Sequence, residues 1–183
     1  MNYSKHLIDV NKIEDIPEEY RESPIGRLIE YHNLNRPQDV YNNAEILVGM
    51  CMDNRKQLHI PDNFAYILRT GGGNLRYSEF KVSYAIAIGK IRHIALIAHN
   101  NCGMVNLMAR ESEFVNSLVN ETGWEREWAE QHFTHFSSIF EIGNEIDFVL
   151  SEAKRLRLRY KNITVVPLYY VLEESKLYLL DEK

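Results

Sequence analysis

Four short stretches of this chain are apolar almost without interruption: 44–50, 64–68, 93–98 and 163–170. A strand with one wet face alternates apolar and polar residues, whereas a run apolar throughout is buried on both faces, the condition of strands in a parallel sheet covered by helices. Between these runs the apolar residues return at helical spacing. Ser23 and Pro24 form a helix start, Ser as N-cap and Pro in the first turn, with Ile25, Leu28 and Ile29 facing inward as far as about Asn33. A second helix over 78–88 carries Val82, Ala85 and Ile86 inward and stops at Gly89.

After Cys102-Gly103 the pattern is helical for a long way. Met104, Leu107 and Met108 make one apolar face, and Phe114, Val115, Leu118 and Val119 another. Gly123 breaks the run, Trp124 and Trp128 sit four apart on a following helix, and Ile139, Ile142, Ile146, Val149, Leu150, Ala153 and Leu156 predict one long helix over 137–158. Residues 171–180 read as a hairpin turning at Glu174-Ser175-Lys176, with its last strand antiparallel at an edge. The expected fold is therefore α/β: a central, mainly parallel sheet of four strands with an antiparallel edge strand, helices on both faces and an N-terminal helical arm. The expected organisation is an arm over 1–22 and a single α/β domain over 23–183.

Composition narrows the partners. The 183 residues are 45% hydrophobic and 26% charged, in the ordinary globular range. A net charge of −5 with no basic stripe argues against nucleic acid. No run approaches the roughly 18 apolar residues of a membrane span. The first residues, with Lys5, Asp9, Glu14, Asp15, Glu18 and Glu19, contain no apolar signal core, so a cytoplasmic location is expected. Leu7, Ile8, Val10, Ile13 and Ile16 are scattered through the arm, which suits packing on something else, such as a neighbouring subunit.

The only two cysteines carry most of the functional information. Cys51 ends the first apolar run, and Cys102 lies three residues after His99, which follows the third run. In an open α/β sheet ligands collect outside the carboxyl ends of the strands. Two strand ends meeting there would bring two thiolates and an imidazole to one point: a Cys2His zinc set with a fourth position free, the pattern of a catalytic metal. A disulfide, or a buried free cysteine beside a hydrogen-bonded histidine, are the alternatives; a reducing compartment favours the metal.

Next to Cys51 stand Asp53 and Arg55, two apart on a turn and able to pair through both carboxylate oxygens. Such a pair is either an ordinary surface bridge or a device by which Arg55 holds Asp53 beside the metal. There Asp53 could accept a hydrogen bond from metal-bound water or swing in as the fourth ligand. The triplet Gly71-Gly72-Gly73 lacks the spacing of a nucleotide loop. Its reading is a backbone that approaches the metal pocket closely and offers an amide to an anionic product.

Taken in order, Cys51-Met52-Asp53-Asn54-Arg55, then Arg69-Thr70-Gly71-Gly72-Gly73, then Ala98-His99-Asn100-Asn101-Cys102-Gly103 resemble the motifs of the β-class carbonic anhydrases. The resemblance is strongest over 44–108. It implies one Zn2+ per chain held by Cys51, His99 and Cys102, with Asp53 and Arg55 as the catalytic dyad and Asp53 as a fourth ligand in a closed state. It implies reversible hydration of carbon dioxide to bicarbonate through zinc-bound hydroxide, and a homodimer or homotetramer whose N-terminal helices embrace the partner. Asn54, Thr70-Gly71 and Ala98 depart from the family's usual serine, Asn-Ala and glycine, without removing a ligand. Two alternatives accompany this reading: a hydrolase of carbonyl sulfide or carbon disulfide on the same zinc, and a non-catalytic zinc protein on the same scaffold.

Other histidines are secondary. His132 and His135 are spaced as a second metal pair, although capping or surface roles are commoner, and His59 and His93 are candidate proton relays. Trp124 and Trp128 read as packing residues, at an interface for instance.

Overall fold

The computed structural model describes residues 7–182. Its strands are β1 (Leu7–Ile8), β2 (Ile46–Cys51), β3 (Ala65–Thr70), β4 (His93–His99), β5 (Thr164–Val171) and β6 (Lys176–Leu180). Its helices are α1 (Glu18–Arg21), α2 (Pro24–Asn33), α3 (Glu79–Ala87), α4 (Glu111–Thr122), α5 (Arg126–Phe140) and α6 (Glu145–Arg159). The six strands form one sheet in the order β1-β6-β5-β4-β2-β3. β3, β2, β4 and β5 are mutually parallel, while β6 runs antiparallel to β5 and β1 antiparallel to β6.

Alternation along the inner strands divides the core into two layers. Ile46, Val48, Met50, Ala95, Ile97, Val166 and Leu168 face one way and pack on Ile25, Leu28 and Ile29 of α2. Leu47, Ile94, Leu96 and Val165 face the other way, onto Val82 and Ala85 of α3 and Ile146, Val149, Ala153 and Leu156 of α6. Ser23 caps α2, its side chain accepting from the backbone N–H groups of Ile25 and Gly26. Gly49 leaves room for the second layer: a Cβ there would lie 2.8 Å from Leu75 Cδ1.

Two parts of the sequence reading change. The long helix expected over 137–158 is two helices, broken at 141–144. Asn144 N-caps α6 by accepting from Ile146 N at 2.9 Å and Asp147 N at 3.0 Å. Ile142, counted in the helical stripe, instead forms a lone parallel bridge with Val105, its N–H donating to Met104 O at 2.9 Å. Trp124 precedes α5, and only Trp128 lies on that helix.

The second change is at the arm. Residues 1–6 of the expected arm lie outside the described residues. From Leu7 onward the arm is not one helix but the short strand β1, a single 3-10 turn at Ile13–Asp15 and the one-turn α1. β1 pairs with β6 of its own sheet, so β6 lies one strand in from the edge. Lys176 on β6 pairs with Asp9 and donates to Asn11 Oδ1, fastening the arm.

Candidate metal centre

The chain leaves β2 toward β3 on one side, while β4 adds to β2 on the other, so the carboxyl ends of β2 and β4 border the crevice of a topological switch point. Cys51 is the last residue of β2 and His99 the last of β4. The turn after His99, with Asn101 in the left-handed conformation at φ 55°, returns the chain so that Cys102 faces the same point. One donor atom from each of Cys51, His99 and Cys102 lies within 4.8 Å of the others, and all three residues are buried. The two sulfurs are 3.9 Å apart and unbonded.

The ring of His99 is oriented by its Nδ1, 2.8 Å from the carbonyl oxygen of Asn100. Its Nε2 is buried with no hydrogen-bond partner. An orphaned imidazole nitrogen aimed at two thiols is costly in an apolar interior unless a ligand takes it. Two soft sulfur donors and one imidazole suit Zn2+, and histidines that bind metal usually anchor their other nitrogen as this one does. The donor set therefore fits the ion. The contact with Cys102, with the His99 imidazole close by, holds the Cys51 thiol well below its ordinary range, and the same contact together with burial pushes Cys102 up.

Asp53 stands at the rim, its Oδ2 4.0 Å from His99 Nε2. Arg55 grips it as a fork: Nε donates to Oδ1 at 3.0 Å, Nη2 to Oδ2 at 2.6 Å, and the backbone N–H to Oδ1 at 2.9 Å. The Arg55 guanidinium holds the Asp53 carboxyl well below the usual carboxylate range. Arg55 Nη2 also donates to Asn101 O at 2.8 Å, tying the pair to the His99–Cys102 turn. That turn is braced in its own right: Asn100 Nδ2 donates to Glu173 Oε2 at 2.6 Å, and Leu172 N donates to Asn100 Oδ1 at 2.9 Å.

The glycine triplet forms one 3-10 turn beside the crevice, with Gly72 and Gly73 at φ 62° and 75°. A Cβ on Gly71 would come within 2.9 Å of Phe140 and 3.2 Å of Met104 Sδ. A Cβ on Gly73 would meet the backbone of Cys51 and Met50 at ordinary contact distance. An apolar cavity of about 630 Å3 opens beside the centre, between α4 and α5; Met52, Gly103 and Met104 border it near the metal residues, and Leu107, Phe133 and Phe136 line its depth.

Three residues near the centre escaped the sequence reading. Lys56 is fully buried and donates through Nζ to Cys51 O at 3.1 Å. Arg69, read only as part of a motif, donates to the carbonyls of Cys51, Asp53 and Lys56. Glu145, also buried, accepts from Cys102 N at 3.4 Å. Lysine after a turn motif and glutamate after an N-cap are ordinary surface choices, and no local signal marks either as buried.

The other histidines lie elsewhere. His93 begins β4, at the opposite end from His99. His59 is exposed, and its backbone N–H donates to His32 Nδ1 at 3.0 Å. His132 stacks on Phe114 and packs on Phe136, and the Cys51–His99–Cys102 set is the one potential metal group among the described residues.

No protein-family model and no curated protein matches the sequence. Solved structures do match. A β-carbonic anhydrase from Trichomonas vaginalis is 17% identical with a TM-score of 0.63, over 82% of this chain and 91% of that one. A carbonic anhydrase from Glaciozyma antarctica is 18% identical with a TM-score of 0.59, over 78% of this chain and 85% of that one. A carbon disulfide hydrolase is 19% identical with a TM-score of 0.57, over 91% of this chain and 93% of that one. The chain has the β-carbonic anhydrase fold.

Proposed function

We propose that this protein is a zinc-dependent carbonic anhydrase that interconverts carbon dioxide and bicarbonate. One observation carries the reading: the buried donors of Cys51, His99 and Cys102 converge within 4.8 Å, leaving His99 Nε2 without a partner beside the Asp53–Arg55 pair. Zinc held by these three residues would supply a Lewis acid that makes water nucleophilic at neutral pH. The chain supplies the rest. Asp53, kept ionised by Arg55, is an acceptor only, so it can accept a hydrogen bond from a water in the crevice and fix which lone pair faces the substrate. Arg55 and the Asn100–Glu173 brace hold that carboxylate and the ligand turn in one frame. Met52 and Met104 make the adjoining wall apolar, which suits an uncharged linear substrate.

The partners implied are a small-molecule substrate and a second copy of the chain, in a homodimer or a higher homo-oligomer. Cysteines kept for a metal suit a reducing, cytoplasmic setting. No helix among the described residues is long and apolar enough to cross a membrane.

The apolar cavity favours one second reading, hydrolysis of carbonyl sulfide or carbon disulfide at the same centre, since these substrates are larger and more polarisable than carbon dioxide. Stopped-flow hydration with zinc-loaded protein between about pH 6.5 and 9, run beside an assay of sulfide release, decides between them. Hydration well above the buffer rate supports the carbonic anhydrase. Sulfide release that outpaces it supports the sulfur hydrolase, and neither rate above buffer leaves a non-catalytic zinc protein.

A further inference from the structure

Lys56 is the one fully buried lysine near the centre, and the hydration chemistry does not use it. Its side chain runs back under the loop that precedes it, and Nζ donates to the carbonyl of Cys51, the residue that offers one of the two sulfurs. Arg69 approaches the same loop from β3 and donates to the carbonyls of Cys51, Asp53 and Lys56. The charged groups facing Lys56 are thus Cys51 and Asp53 on its own loop, Arg69 on β3 and Cys102 after β4. Burial pushes the Lys56 pKa down, and the negative charge on Cys51 and Asp53 pulls it back up.

An ammonium in the interior is tolerated when nearby negative charge balances it. Two thiolates and a divalent ion cancel one another, and Arg55 is committed to Asp53 through the fork. Against the buried Glu145 at Cys102 N, Lys56 and Arg69 then leave the crevice with one positive charge in excess, unless an anion sits at the open position.

We propose that Lys56 is a positioning residue that places a fixed positive charge behind the Cys51–His99–Cys102 set and so strengthens binding of an anion at the free coordination position. This rests on the metal-centre reading and deepens it, because bicarbonate is the anion that reading requires. The effect acts through space from beneath Cys51 and needs no contact with the ligand.

The test uses full-length protein loaded with Co2+, whose visible spectrum reports ligands at the open position without any turnover. Azide is the anionic probe and imidazole the neutral one. Lys56→Gln keeps a donor for Cys51 O and removes the charge, Lys56→Met removes both, and Lys56→Arg keeps the charge. At equal cobalt content, both neutral variants are expected to bind azide about tenfold more weakly, the order of effect of one buried unit charge at an effective dielectric constant near 20. Imidazole affinity stays within about twofold in every variant, and Lys56→Arg binds azide as the parent does.

Equal azide affinity in Lys56→Gln and parent overturns the proposal. So does a parallel loss of azide and imidazole affinity, which would mark Lys56 as a structural peg. Failure of the parent itself to bind Co2+ overturns the metal reading, and the proposal with it. If Lys56→Gln and Lys56→Met do not fold, Lys56→Arg decides: loss of azide affinity in that folded, charged variant also overturns it.

Discussion

At the scale of single residues, the centre separates into donors that hold and groups that orient. On the proposed function Cys102 is a donor: Cys102→Ala would leave one sulfur and one imidazole, too few for the ion, so metal content measured by elemental analysis and hydration activity are expected to vanish together. Asp53 only orients. Asp53→Ala is expected to keep its zinc while turnover falls by about a hundredfold, the order of loss when a water-orienting group is removed. A variant that lost metal and rate in proportion would instead make Asp53 a ligand.

The convergence of Cys51, His99 and Cys102 was legible in the sequence because the first two end apolar runs and the third follows one short turn later, and strand ends are where a parallel sheet gathers its ligands. Lys56 and Glu145 were not. Their burial follows from how loop and helix pack in three dimensions, and neither lies on a periodic pattern.

At the scale of elements, α2 couples sequence, packing and pH. Its start was readable from Ser23-Pro24, and the structure adds why Gly26 is there. A Cβ on it would press on the carbonyls of Tyr20 and Arg21, the latter at 2.6 Å, so Gly26→Ala would force α1 away from α2. Ser23→Ala is expected to lower stability by about 1 kcal/mol through the lost cap, measurable by urea unfolding.

His32, on the same helix, lies against Tyr170 of β5 with its Nδ1 taken by the backbone of His59. Burial, and then the charge of His59, push its pKa from 6.5 down to about 4. The unfolded chain therefore takes up this proton first as the pH falls. The stabilisation is complete above about pH 6.5 and is lost between there and about pH 4, by at most about 3 kcal/mol. Urea midpoints should drop across that window, and His32→Gln should flatten the drop; an unchanged slope in the variant would assign it to other groups. The α5–α6 break was less legible than α2, because Ile142 keeps the helical spacing and only the Gly143-Asn144 pair signals a new N-terminus.

At the scale of the whole molecule, the two ends of the sheet are finished differently, and only one of them offers an edge to another copy. One end is closed by β1, a two-residue strand whose short apolar signal is too brief to read from sequence. The other end is β3, which among the described residues pairs only with β2 and leaves its outer edge open. Open edges invite pairing unless charge or a covering element protects them. Beside this edge α3 turns Val82 and Ala85 inward, yet Phe80 and Tyr84 on the helix and Ile88 just past its end recur every four residues at 79%, 51% and 63% exposure. Tyr66 on β3 and Tyr77 before α3 are exposed as well.

A cluster of aromatic side chains of this size on one face marks an interaction surface. An open strand edge next to it suits a two-fold copy of the same edge, because each strand then supplies the partner the other lacks. Homodimerisation through β3 and α3 is the expected outcome. In sedimentation at micromolar concentration the parent should run as a dimer or larger, and Phe80→Glu with Tyr84→Glu as a monomer. Since both side chains already face solvent in the single chain, the double variant should unfold at the parent's urea midpoint once dilution removes the dimer's contribution. A parent that stays monomeric, or a double variant that still assembles, would move the interface elsewhere, and the α4–α5 side with exposed Trp128 and Phe136 is the next surface to test.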